Sequence, residues 1–259
     1  KNPIIKGCLQ LLNFKETLYI STTSDVPAAS GLGTSSAFCV GLLNALYKYK
    51  GVDASHKKLA EEASHIEINI LKRPVGKQDH YSAAYGGLNI FKFNSNETVN
   101  VNKIQLNNNI SKNINNSLIS FWTGISRNSS NILKKQKKNS LKNTRQLIKL
   151  RDQVMETKNI LIKKDYKIEQ LGMLMTEGWR IKKNLTNNIS NRKLDKIYNE
   201  AINSGSLGGK LAGAGGGGFF LFVCKKENQN KLIKNMHKKK LTKFNFKISK
   251  TGSVVKNFF

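Results

Sequence analysis

Residues 27–37, PAASGLGTSSA, gather two glycines and the hydroxyls of Ser30, Thr34, Ser35 and Ser36 immediately ahead of an apolar helical run. The first N–H groups of a helix have no intrahelical partner, and the helix dipole favours an anion beside them. Glycines let the backbone approach a ligand without a Cβ in the way. The stretch therefore reads as a phosphate site. It is not a Walker A loop, because no GK[ST] follows. The plainer alternative is a helix cap with permissive glycines. A second glycine run, Gly213–Gly218, formally fits GxGxxG. A dinucleotide fingerprint must follow a strand and open a helix, whereas this run precedes the apolar strand Phe219–Val223, so that reading fails.

The elements that must position these loops follow from periodicity. Thr17–Thr23 is rich in β-formers and predicts a strand. Ser35 to Tyr49 predicts a helix through the stripe Phe38, Leu42, Ala45 and Leu46. Asp53 is placed to cap the next helix, which carries Leu59, Ala63, Ile66 and Ile70 and ends at Arg73-Pro74. A short helix over Tyr81–Tyr85 and a strand over Leu88–Phe93 follow. Residues 94–116 are Asn-rich and mark the expected domain junction. The second half predicts a strand at Leu118–Trp122 and helices over about 130–164, 166–186 and 193–203. A glycine loop over Gly205–Gly218, the strand Phe219–Val223, a helix near 227–239 and a strand near 244–250 complete it. The domains expected are 1–108 and 109–259.

The chain has 259 residues, 44 Lys+Arg against 16 Asp+Glu, and a formal charge of +28. Such a charge suits nucleic acid or an anionic membrane, but its excess is mostly lysine and accompanies abundant asparagine. Drift in composition at exposed positions is one reading; a polyanion footprint is the other, and it would have to cluster on one face. The densest cluster, residues 131–167, has no aromatic before Tyr166 on which bases could stack, so nucleic acid is not the expected partner. No apolar run approaches membrane-spanning length, and no signal peptide is evident. Cys8, Cys39 and Cys224 are far apart and lack zinc spacing. They read as buried reduced thiols of a cytoplasmic protein.

Four segments in collinear order now carry a resemblance: PAASGLGTSSA (27–37), RPVGKQDHYSAAYGGLNIFKF (73–93), TGISRNSSNIL (123–133), and GWRIKKNLTNNIS (178–190) with GGKLAGAGGGGFFLFV (208–223). Together they resemble the GHMP kinases, and within them the D-glycero-D-manno-heptose 7-phosphate kinases. The resemblance implies an α+β GHMP kinase fold, with a ribosomal S5-like N-terminal domain and a ferredoxin-like C-terminal domain. It implies ATP and Mg²⁺ as cofactors and a sugar phosphate as substrate. The γ-phosphate would pass to an anomeric hydroxyl, in the synthesis of heptose for lipopolysaccharide or capsule.

The implied roles fall on particular residues. Gly31, Gly33, Thr34, Ser35 and Ser36 would cradle the ATP phosphates, and Gly213, Gly215 and Gly216 would pack beside them. The Ser35 hydroxyl and Glu67 would hold Mg²⁺, which accepts one or two carboxylates when phosphates complete its shell. Read by itself, Glu67 is a solvated charge on a helix. Asp79 would be the catalytic base that orients the sugar hydroxyl and takes its proton. Arg127 would contact the substrate phosphate, with Lys182 or Lys183 behind it, and Lys77 would touch phosphate or hold the Asp79 carboxylate ionised; each is otherwise a surface cation. Lys210 is a further candidate, and Trp179 is expected to pack in the core.

Two departures stand out. The subfamily usually has Gln where His80 stands, and its leading R-x-P-x-R…GG-x-[ST]-D segment has no match here. With Lys1 rather than Met at the start, a truncation of roughly 70–80 residues is expected. The alternatives are a kinase of another sugar, fucose- or hexose-like, and a non-catalytic relative that binds nucleotide or polyanion. A homodimer is compatible with either.

Overall fold

The computed structural model describes residues 2–126, 129–163 and 165–256. They form two compact units, each with its own core. Unit 1 comprises residues 1–28, 33–104 and 248–259; unit 2 comprises 29–32 and 105–247.

Unit 1 begins with α1 (Pro3–Leu11), which the sequence reading missed. Its signal is local: Asn2 accepts the Ile4 N–H at 2.9 Å as N-cap, and Pro3 stands in the first turn. α2 (Thr34–Tyr49) follows the phosphate-type loop and buries Cys39, Val40, Leu43 and Leu46. α3 (His56–His65) is capped by Ser55 rather than Asp53. Ser55 Oγ accepts the Lys58 N–H at 3.2 Å, while Asp53 pairs with Lys48. The expected helix then continues as a π-turn over Ile66–Ile70. Next come α4 (Gln78–Tyr85) and the hairpin of β1 (Asn89–Phe93) with β2 (Val99–Lys103). The predicted strand at 17–23 is not one. That stretch joins no ladder, and Tyr19 is 96% exposed. β-propensity gives only a local preference, and a strand also needs an edge to pair with. The chain returns to this unit near its end, where the Ser253 N–H donates to Ala83 O and the Gly87 N–H donates to Ser249 O.

Unit 2 contains α5 (Asn108–Ser117), β3 (Leu118–Trp122), α6 (Ser129–Lys138), α7 (Thr144–Ile162), α8 (Ile168–Lys183), α9 (Arg192–Asn203), β4 (Ser206–Leu211), β5 (Phe219–Cys224), α10 (Lys226–Lys238) and β6 (Thr242–Phe244). The strands form one antiparallel sheet in the order β4-β5-β3-β6. Read along the chain, this is the βαββαβ pattern of a ferredoxin-like domain. Phe121, Phe220, Phe222, Trp179, Leu194 and Leu211 are buried together in its core, as expected for Trp179.

Four expectations change here. The Asn-rich junction holds β2 and α5. The single helix over 130–164 is two, broken where Asn143 donates through Nδ2 to Leu185 O at 2.8 Å instead of serving a continuous helix. The glycine loop shrinks to residues 212–218, because Ser206–Leu211 pairs as β4 with the apolar β5. The last strand is likewise shorter, ending at Phe244.

Candidate active site

Gly33 is the hinge from loop to helix in unit 1. It caps α2 with φ 69° and offers no side-chain acceptor, so the first-turn amides of α2 are left for another partner. It also yields space. A Cβ built there would lie 3.1 Å from Cβ and Cγ of Asp79 and 3.3 Å from its Oδ2. Asp79 stands in the first turn of α4, exposed, with its carboxylate against the loop backbone. Thr34, Ser35 and Ser36 form the first turn of α2.

Glu67 is not a solvated helix charge. It is fully buried, on the π-turn that follows α3. Such turns occur often at functional sites because they shift one residue out of the regular helical face. Its carboxylate meets four donors. Oε1 accepts from Ser35 Oγ and from Arg73 Nη1; Oε2 accepts from Ser36 Oγ at 2.9 Å and from His80 Nε2 at 2.9 Å. Burial by itself would raise the carboxyl's pKa, but hydrogen bonds from His80, Ser35 and Ser36 more than offset it and bring it down to about 2. Glu67 is thus an ionised, fixed carboxylate at neutral pH.

His80 and Arg73 are the members of this cluster that sequence reasoning missed. His80 is buried, and one residue beyond the outward Asp79 it is turned about 100° around α4, toward the interior. With Glu67 ionised, its Nε2 carries the hydrogen, and Nδ1 is buried without a protein partner. The Gln that the resemblance leads one to expect here would also offer an amide donor to Glu67. Arg73 gives no such signal. It ends a helix before proline, and nothing local says that its side chain turns back to Ser35.

Lys77, by contrast, is engaged with Glu97 in the β1–β2 turn. In unit 2, Lys182 Nζ donates to Gly213 O, and Lys183 pairs with Asp195 at 2.9 Å. Arg127 lies outside the described residues. Lys210 lies on β4, exposed, rather than in the loop. The glycine loop itself is tightly placed. The Gly216 N–H donates to Ile189 O at 2.7 Å, and the Gly218 N–H donates to Ile125 O at 2.9 Å. A Cβ on Gly218 would stand 2.1 Å from Ser30 O, so this loop runs directly against residues 29–32. Gly213, Gly215 and Gly216 have positive φ, a region that glycine enters without a Cβ penalty.

The donor set fits a divalent ion of the hard type. Ser35 Oγ and Glu67 Oε1 are adjacent oxygens already bridged by a cationic group. Among the described residues no three His, Cys, Asp or Glu side chains cluster, so an ion here would take its other ligands from phosphate and water, as Mg²⁺ does.

The comparisons with known proteins agree with the fold. Residues 3–87 match the GHMP kinases N terminal domain and residues 162–243 match the GHMP kinases C terminal domain. The chain belongs to the GHMP kinase family and is a carbohydrate kinase of that family. Among its relatives, the D-glycero-alpha-D-manno-heptose 7-phosphate kinase of Campylobacter jejuni is 32% identical over 235 residues, covering 90% of this chain and 69% of that one. The mevalonate kinase of Methanothermobacter thermautotrophicus is 26% identical over 228 residues, 85% of this chain and 69% of its own. The crystal structure of a D-glycero-D-manno-heptose 1-phosphate kinase from Bacteroides thetaiotaomicron aligns with a TM-score of 0.76 over 96% of this chain and 72% of that one, at 24% identity, a likeness of fold. Among the described residues no helix is long and apolar enough to cross a membrane.

Proposed function

We propose that the protein transfers the γ-phosphate of ATP to the anomeric hydroxyl of D-glycero-D-manno-heptose 7-phosphate, in the cytoplasm, for the heptose of surface glycans. The observation that carries the chemistry is the placement of Asp79 against Gly33, at the start of the helix whose first turn holds Ser35 and Ser36. The heptose preference is supported by the relative at 32% identity.

In this reading residues 1–108 form the nucleotide-binding half and 109–259 complete the kinase. The amides of Gly31, Gly33, Thr34, Ser35 and Ser36 bind phosphate oxygens, and Gly213, Gly215 and Gly216 are assigned to the same nucleotide. Ser35 Oγ and Glu67 hold Mg²⁺, which when bound neutralises phosphate charge. Asp79 accepts the proton of the attacking hydroxyl and keeps that oxygen in line. Arg127, Lys77, Lys182 and Lys183 are assigned to the substrate's phosphate; Lys77 pairs with Glu97 and Lys183 with Asp195, so each would exchange that partner for the phosphate.

A panel of heptose 7-phosphate, heptose 1-phosphate, fucose and mevalonate, each with ATP and Mg²⁺, tests the reading. Turnover should be highest with heptose 7-phosphate, and phosphorus NMR should show a new anomeric phosphate. Preference for an unphosphorylated sugar would overturn the substrate. A kinase of a fucose-like sugar is the second reading, supported by the bifunctional fucokinase/GDP-fucose pyrophosphorylase of Arabidopsis thaliana, which is 27% identical over 242 residues, 89% of this chain but 22% of that one.

A further inference from the structure

The Glu67 carboxylate is fully subscribed. An ionised carboxylate offers about four lone-pair positions, and Ser36, His80, Ser35 and Arg73 fill them. The two sides of the group differ. Oε2 faces the buried residues Ser36 and His80. Oε1 faces Ser35 and Arg73, and the Arg73 side chain is 32% exposed. Arg73 Nη1 also donates to Ser35 Oγ, at 2.7 Å. A single NH₂ group therefore bridges two oxygens, with one N–H available for each.

Those are the two oxygens that the proposed function assigns to Mg²⁺, and the inference rests on that reading. A guanidinium and a divalent ion cannot both hold them. Each needs the same lone pairs, and two cations in contact repel strongly where water is scarce. The backbone need not move for one to replace the other. The Arg73 N–H is anchored to Glu67 O at 2.9 Å and Pro74 follows, while the side chain has an open flank.

We propose that Arg73 is the resident cation of this site: its guanidinium holds Ser35 Oγ and Glu67 Oε1 together and is displaced by the arriving metal. Arg73 is then a positioning residue that also sets metal affinity. Without a cation, a buried carboxylate would face a hydroxyl alone on that side. With one built in, the two ligands stay in register, and the metal must compete for them.

The test uses Mn²⁺ as a paramagnetic probe, titrated by EPR into the ADP-loaded protein. Arg73→Gln removes the competing charge but keeps an amide donor. Its Mn²⁺ affinity should rise by about five-fold if Arg73 occupies the oxygens some four-fifths of the time, since apparent affinity scales with the fraction of open site. Equal or weaker Mn²⁺ binding by a folded Arg73→Gln would overturn the proposal. The wild-type protein supplies a readout independent of that variant's folding. The Arg73 side-chain Nε–H signal, assigned by its loss in Arg73→Lys, should shift when Mg²⁺ is added to the ADP complex, and a signal that stays in place rejects the displacement. Glu67→Gln separates the two layers. If it leaves Mn²⁺ binding unchanged, the metal reading falls and takes the proposal with it. If it weakens Mn²⁺ binding while Arg73→Gln gains nothing, the metal reading stands and the resident cation does not.

Discussion

The Glu67 cluster and the basic helices α6 and α7 both hold charge, and they are built in opposite ways. Around Glu67, a single carboxylate is fully buried and held by four donors from α2, the segment after the π-turn, and α4. Residues 131–167 carry twelve Lys and Arg against three Asp and Glu, yet Lys134, Lys135, Lys137, Lys138, Arg145 and Lys149 are exposed. The ion pair there, Arg151 with Asp152 at 2.7 Å, is exposed on both sides. Water screens such charges, and pairs of this kind contribute about 0–1 kcal/mol. A buried carboxylate cannot be left unpaired at any comparable cost. The amount of charge therefore says little about chemistry; its burial and its fixed partners say more.

The hardest test of this contrast is at the edge of the buried cluster. Asp79→Asn should lower turnover by about 10³-fold, within the range for loss of a general base, while ADP affinity by calorimetry stays nearly unchanged. Retained turnover would remove Asp79 from the chemistry. The second test is acid. Glu67 has its pKa lowered to about 2 from 4.5, so its ionised form stabilises the folded state above the unfolded value. That stability is lost as pH falls through the folded value. Between pH 5 and 2 the loss should reach roughly 3 kcal/mol, read from urea midpoints. Glu67→Gln should flatten that part of the profile, and an unchanged slope would assign it elsewhere.

Smaller effects sharpen the comparison further. His80→Leu removes a donor from a buried carboxylate and should cost about 1–3 kcal/mol. His80→Gln restores an amide donor and should recover most of it; equal losses would mean that His80 matters only as bulk. At the bottom of the scale, exchanging Lys134, Lys137, Lys138 and Lys149 for Gln should change stability by under about 0.5 kcal/mol each and leave turnover intact. A steep salt dependence of polyanion binding that those four exchanges abolish would revive the footprint reading of the basic helices.

Much of the fold was legible because its signals are local. The apolar stripe of α2, the run Phe219–Val223 and the order of the four motifs all rest on near neighbours, and the structure follows them. The failures at residues 17–23, 206–211 and 130–164 share one cause. Residues 17–23 have strand-forming residues but no strand beside them, whereas the glycine-containing segment Ser206–Leu211 becomes a strand because β5 is there to pair with it. Helix 130–164 breaks where Asn143 finds a better partner in Leu185, 42 positions away.

The candidate site divides in the same way. Its phosphate-type loop can be seen in PAASGLGTSSA because a glycine-rich turn and a helix start are written in consecutive residues. The sequence by itself thus determined the family and the loops. Only the tertiary structure decided that Glu67 is buried rather than solvated, that His80 and Arg73 are its partners, and that Lys77 and Lys183 are already paired. Those facts depend on side chains 6 to 38 positions apart meeting in space. Hydrogen bonds and desolvation act over a few ångströms, and no spacing along the chain encodes such contacts until the helices pack.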